Sequence, residues 1–193
     1  MEPTPERLRR VSARLFAKQG LAGTSMREIA RETGITQAAI YHHYQGKEEL
    51  YLDAVRTLHR EKLQSLSEVV ELDVSPPEML HQLVLRMLEL MDADPDFRNI
   101  YHRELMEGDE ERLREMADSV FIDGLAVLEP LMKQVAPTLD PTLTLMSVAG
   151  LVLHHLEVRR LIVLLPGDGE SRAQLPVLAE HITALVLTGG QAQ

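Results

Sequence analysis

The chain has 193 residues, 45% of them hydrophobic, enough for one large or two small helical domains with a real core. It has no cysteine, which excludes a disulfide framework, a thiolate metal site and a cysteine nucleophile, and is compatible with a reducing cytoplasm. The net charge of −10 is lopsided: residues 1–56 carry nine Lys and Arg against seven Asp and Glu, the remainder 11 against 23, which favours contact with nucleic acid at the amino-terminal end alone.

The opening run MEPTPERLRR lacks the apolar core of a signal peptide. Residues 1–4 are expected to fray. Pro5 suits the first turn of a helix reaching about Gln19, with Leu8, Val11, Leu15 and Phe16 on one buried stripe. Arg7, Arg10, Arg14 and Lys18 lie on its other faces, mostly as a solvated surface. From Ser25 to Lys47 the chain reads as two short helices joined by a tight turn. Ser25 is placed to cap the first, and Glu28, three residues on, to complete a capping box. Ile29 and Ala30 point inward. Gly34 stands where the helix must stop, because glycine tolerates the left-handed backbone of such a stop. Thr36 caps the second helix, Gln37 to about Tyr44, and the spacing is that of a helix-turn-helix. Ala38 and Ala39 keep the front of this helix slim enough for a major groove, and Gln37 has the amide to pair with a base edge, most naturally adenine. Tyr41, His42, His43 and Lys47 are donors suited to phosphate oxygens.

The run Arg14 to Val55, RLFAKQGLAGTSMREIARETGITQAAIYHHYQGKEELYLDAV, resembles the DNA-binding domain of the TetR family of transcriptional repressors. The matching features are Phe16 and Gly20, Thr24-Ser25, Ile29-Ala30, Gly34, Tyr41-x-His43-Tyr44 and Lys47-Glu48-Glu49-Leu50, in one order at fixed spacings. Tyr44 stands where phenylalanine is more usual and is expected to pack the same way with its hydroxyl in water. The resemblance covers about the first quarter of the chain, and the rest matches in layout only. It implies an all-α fold: an N-terminal three-helix helix-turn-helix DNA-binding domain, 1–50, then a larger helical ligand-binding and dimerisation domain, 51–193. The expected DNA-binding residues are Ser25, Arg27, Thr36, Gln37, Ala38, Tyr41, His42, His43 and Lys47.

Lys47 opens a longer helix through Leu50, Val55, Leu58, Leu63 and Leu66 to about Leu72, leading from the small domain into the large one. Pro76-Pro77 starts the next, to about Met91, and Asp92-Ala93-Asp94-Pro95 is a turn. Helices follow at about Asp96–Met106 and, after a break at Gly108-Asp109, at about Glu110–Val135, where Pro130 is expected to kink or divide the helix. Pro141 to Leu165 is a long helix, apolar over most of its circumference; His154, His155, Glu157, Arg159 and Arg160 interrupt it too often for a membrane span. After a loop at Pro166–Gly169 the last helix runs from about Ala173 to Thr188, and Gly189-Gly190 ends it. No strand, internal repeat or low-complexity segment is legible.

The last two helices, about 141–165 and 173–188, carry more apolar surface than one side of a monomer hides, which points to a four-helix interface between two copies. The resemblance implies the same homodimer, and two recognition helices about one DNA turn apart, roughly 34–36 Å, or somewhat more would read a palindromic operator. Met79, Met87, Met91, Met106, Met116 and Met132, with few aromatic residues around them, make an adaptable apolar interior suited to a hydrophobic small-molecule effector. Met87, Met91, Tyr101, His102, Phe121 and His154 are the expected effector contacts, with Arg103 and His155 beside them. Each of these residues singly is also an ordinary core or surface residue. No metal site and no cofactor is expected. His154 and His155 point about 100° apart on a helix, so a zinc site would need ligands from another helix, such as His102 or Glu104; polar packing at the dimer seam is the better reading.

The function these features favour is a cytoplasmic, ligand-responsive transcriptional repressor, not an enzyme. A helical-bundle enzyme is the first alternative, but there is no Gly-x-Ser-x-Gly elbow, no phosphate loop and no convincing ligand cluster. The second is a DNA-binding activator that needs no effector.

Overall fold

The computed structural model describes residues 5–107 and 110–190; the expected fraying of residues 1–4 and the expected break at Gly108-Asp109 lie outside them. Among the described residues all regular structure is helical, as the sequence implies. The first helix, α1 (Pro5–Gly23), buries Leu8, Ser12, Ala13, Phe16 and Ala17. Its regular part ends at Gln19, as expected: Gly20 takes a positive φ of 72° that kinks the chain, and a further short turn runs on to Gly23. The turn is pinned by the Thr24 hydroxyl, which donates to the Gly20 carbonyl at 2.8 Å. A side chain at Gly20 would also meet Arg103, whose guanidinium lies 3.2 Å from where its Cβ would stand.

Two short helices follow, α2 (Met26–Thr33) and α3 (Gln37–His43), and then a long one, α4 (Lys47–Val70). The remaining helices are α5 (Pro76–Ala93), α6 (Pro95–Glu107), α7 (Glu110–Met116), α8 (Ile122–Val135), α9 (Pro141–Leu164), the single turn α10 (Gly169–Arg172) and α11 (Leu175–Gly189). The stretch expected as one helix from Glu110 to Val135 is interrupted by a π-helical turn, Ala117–Phe121, and not at Pro130. Pro130 sits inside α8. The carbonyl it deprives of a partner belongs to Ala126, and both residues are exposed, so water replaces the lost bond.

The chain packs as two compact units. One is built from the chain up to Glu61 together with Asp94–Val120. Its core includes Phe16, Ile29, Ile40, Leu50, Ile100 and Met116. α6 lies against α1, and Phe16 meets the Tyr51 ring edge-on with centroids 4.9 Å apart. Here lies a buried ionic centre: the Tyr51 hydroxyl donates to Glu104, only 3% exposed, whose other oxygen is 3.7 Å from the Arg112 guanidinium. Arg56 of α4 pairs with Glu115 of α7 in the same unit. The second unit comprises Lys62–Ala93 and the chain from Phe121 onward. In it α5 packs on α11, α9 and α8, burying Leu80, Leu83, Leu88, Met132, Val148 and Ile182. Arg159 fastens it, donating to the Ala173 carbonyl at 2.7 Å and to Asp92 at 2.9 Å.

Candidate nucleic-acid interface

The helix-turn-helix is built by local chemistry. The Ser25 hydroxyl accepts from the Glu28 amide and caps α2, and the Thr36 hydroxyl accepts from the Ala39 amide and caps α3. Gly34, at φ 75°, closes α2, its N–H directed to the Arg31 and Ala30 carbonyls. The capping box is formed in one direction only: the Glu28 carboxylate turns to Gln19, accepting from its amide at 2.9 Å. Thr33 donates to the Ile29 carbonyl at 2.6 Å, so the polar side chain that faces the core is satisfied there.

α3 has one buried anchor, Ile40, which is inaccessible to solvent. The rest of the helix faces outward: Gln37, Ala38, Ala39, Tyr41, His42 and His43 are exposed, Tyr41 by 52%. The His42 and His43 rings stand 5.4 Å apart. Ser25, Arg27 and Thr36 are exposed as well, so the expected donors lie on or beside one accessible helix. Lys47 is placed differently. It is half-buried, and its ammonium donates to the Thr24 carbonyl at 3.0 Å, which ties the start of α4 to the corner before α2 and leaves two further N–H bonds.

Sequence reasoning missed what holds the far end of α3. The Tyr44 hydroxyl does not go to water; it donates to Asp53 of α4 at 2.6 Å, and Arg9 of α1 reaches the same carboxylate oxygen at 3.4 Å. Burial, and then the bond to Asp53, push the Tyr44 phenol up to about 12, so it stays a donor at working pH. The sequence carries no periodicity that links positions 44 and 53. Asp53→Ala is expected to cost about 1–2 kcal/mol in denaturant unfolding, since it strands the Tyr44 hydroxyl and loosens Arg9. Tyr44→Phe removes only the donor and is expected to cost about half as much.

The expected effector contacts fall in both units. Tyr101, buried, and His102, half-buried, are on α6 in the first unit; Met87 and Met91 are buried on α5 and Phe121 is half-buried, in the second. His154 is exposed on α9.

The second unit has an apolar face of its own. Along α9 and just past it, Leu143 (67% exposed), Met146, Leu161, Leu164 (80%) and Leu165 are bare, with Val177 and Leu185 on α11. A cavity of about 370 Å³, lined by Leu139, Leu143, Thr144, Ser147, Leu151 and Leu185 among others, opens on the same two helices. No helix among the described residues is long and apolar enough to cross a membrane.

Residues 8–54 match the family profile described as bacterial regulatory proteins, tetR family. The repressor KstR2 of Rhodococcus jostii is 30% identical over 95 residues, which are 49% of this chain and 47% of that protein. The uncharacterised regulator YerO of Bacillus subtilis is 48% identical over 54 residues, 28% of this chain and 19% of YerO. The chain thus spans about half or less of these two relatives. Solved structures match it nearly end to end. FadR of Bacillus subtilis, in complex with stearoyl-CoA, superposes with a TM-score of 0.76 at 15% identity, over 94% of this chain and 97% of FadR. KstR2 of Mycobacterium tuberculosis, described as a ketosteroid transcriptional regulator, does so at 0.67 and 21%, over 98% and 95%. At such identities these two establish the fold alone. Residues 8–54, which carry the exposed α3, thus match the tetR family of bacterial regulatory proteins, and the chain beyond them follows the fold of the solved structures.

Proposed function

We propose that this chain is a cytoplasmic transcriptional repressor that binds a palindromic operator as a homodimer and is released by a hydrophobic small molecule. One observation carries the reading. α3 anchors itself through Ile40 alone and presents Gln37, Ala38, Tyr41, His42 and His43 to solvent. Such a helix has the slimness and the donors that a major groove selects. The named repressor among the relatives supports the direction of control.

The bare stripe on α9 and α11 supports the dimer. Packed on its twofold mate it would make a four-helix bundle. The apolar effector draws support from the methionines of α5 and from the stearoyl-CoA held by FadR. Met87, Met91, Tyr101, His102, Phe121 and His154 are the residues to substitute singly; the exposure of His154 on α9 supports a place at the seam for it. An effector releases DNA only by preferring one conformation, and reversing a 1:99 balance takes about 5.5 kcal/mol of preference.

Selection of bound sequences from random DNA tests the reading. A palindrome with half-sites about one helical turn or somewhat more apart is expected. In gel-shift titrations at several salt concentrations, Tyr41→Phe and Lys47→Ala weaken binding to every sequence, and Gln37→Ala relaxes discrimination at one base pair by about 1–3 kcal/mol. Unchanged binding in all three variants removes α3 as the reading helix.

A further inference from the structure

The face proposed to close in the dimer carries three imidazoles that DNA binding does not use. His154 and His155 are consecutive on α9, and His181 is on α11. The His155 and His181 rings have centroids 5.7 Å apart, with planes at 64°; His154 and His155 are 6.0 Å apart. The second helix that the sequence alone required of any metal site is therefore α11, contributing His181. Two imidazoles on one tetrahedral ion have ring centres roughly 5 Å apart, so a small rotation brings this pair onto a shared ion.

The ring of His155 is oriented by its surroundings. Its Nδ1 lies 2.7 Å from the Leu151 carbonyl oxygen, which only accepts, so Nδ1 carries the hydrogen and the lone pair sits on Nε2. A backbone carbonyl holding one ring nitrogen while the other is left to coordinate is the usual support of a metal-bound histidine. One chain does not complete a site: among its described residues no group of three or more His, Cys, Asp or Glu is arranged to hold a metal.

A twofold axis supplies what is missing. In a self-complementary interface, the middle of an exposed stripe approaches its own copy. The bare stripe of α9 runs from Leu143 to Leu165 and has His154 at its midpoint. Small exposed residues, Gly150 on α9 and Ala184 on α11, lie about one turn from these histidines and let the backbones come close. His154 is exposed and projects about 100° away from His155 around the helix, which leaves it open to a copy packed on this face. A seam that closed over imidazole nitrogens without giving them partners would be opposed by their desolvation, and an ion satisfies several of them together.

We propose that the α9/α11 face binds a divalent transition metal of the zinc class, through His155 and His181 of one protomer and the partner's His154. A fourth position is left for water or a carboxylate. Two such sites form per dimer, related by the axis. The inference rests on the reading that this face dimerises.

The test uses untagged full-length protein, stripped with a chelator and titrated with zinc. Bound metal is measured by equilibrium dialysis and elemental analysis, and mass by sedimentation on the same samples. The expected result is a dimer that takes up about one zinc per protomer, with affinity lowered about tenfold or more in each of His154→Ala, His155→Ala and His181→Ala. A stripped dimer that retains zinc no better than the His155→Ala/His181→Ala double variant overturns the metal site and leaves the dimer standing. A chain that stays monomeric with and without zinc overturns the dimer, and the shared site with it. Zinc uptake that is unchanged by His154→Ala overturns the sharing between protomers.

Discussion

Glu104→Ala is expected to lower the unfolding free energy by roughly 3 kcal/mol, among the largest effects of any single substitution in this chain. Glu104 is a charged side chain at 3% exposure, sustained by the Tyr51 hydroxyl on one oxygen and the Arg112 guanidinium near the other. Removing the carboxylate strands a buried phenol and takes a counter-charge from beside Arg112. The Tyr51 phenol is pushed well above its ordinary range by burial and by the carboxylate, so it donates at every working pH. Two milder variants separate the contributions. Glu104→Gln keeps an acceptor for Tyr51 and loses only the charge; Tyr51→Phe loses only the donor, at about 1 kcal/mol. Urea unfolding followed by circular dichroism ranks the three. A Glu104→Ala loss within about 0.5 kcal/mol would mean that the centre holds nothing together.

The second large effect is an acid-side loss of stability through His59. Its ring packs against Phe97, centroids 4.9 Å apart, and Tyr101 at 5.8 Å, and burial pushes it down to about 4. In the unfolded chain a histidine titrates at about 6.5. Between those values the unfolded chain binds a proton that the folded one refuses, so stability falls as pH falls. The cost is absent above about pH 6.5, grows to roughly 3 kcal/mol near pH 4, and levels off below that. Comparing wild type with His59→Leu and His59→Gln across this window isolates the histidine from the titrating carboxylates. The difference in stability between wild type and each variant is expected to slope with pH. Parallel curves for all three proteins would rule His59 out as the source.

What was legible in the sequence was local. Ser25, Thr36 and Gly34 specify the ends of α2 and α3 through bonds spanning three or four residues, and they are found as the spacing predicts. Pro141 opens α9 in the same way. What was not legible depends on residues far apart in the chain. Tyr44 meets Asp53 nine residues on, and Tyr51 meets Glu104 fifty-three residues on. Neither distance has a periodicity to betray it. Pro130 misled because the rule it invokes concerns an unmet carbonyl, and here that carbonyl is on the wet side of α8. The outward set on α3 was readable because Ile40 is its one inward residue. For an effector site the sequence has no such local signature, since buried methionines look alike whether they line a cavity or fill one.

The return of Asp94–Val120 to pack with the amino-terminal helices bears on how such a protein can be inherited in pieces. A fragment ending near residue 61 would bare the face of α1 that α6 covers and would take the carboxylate from Tyr51. Exchange of one unit between related genes therefore calls for three crossovers, near residues 61, 93 and 120.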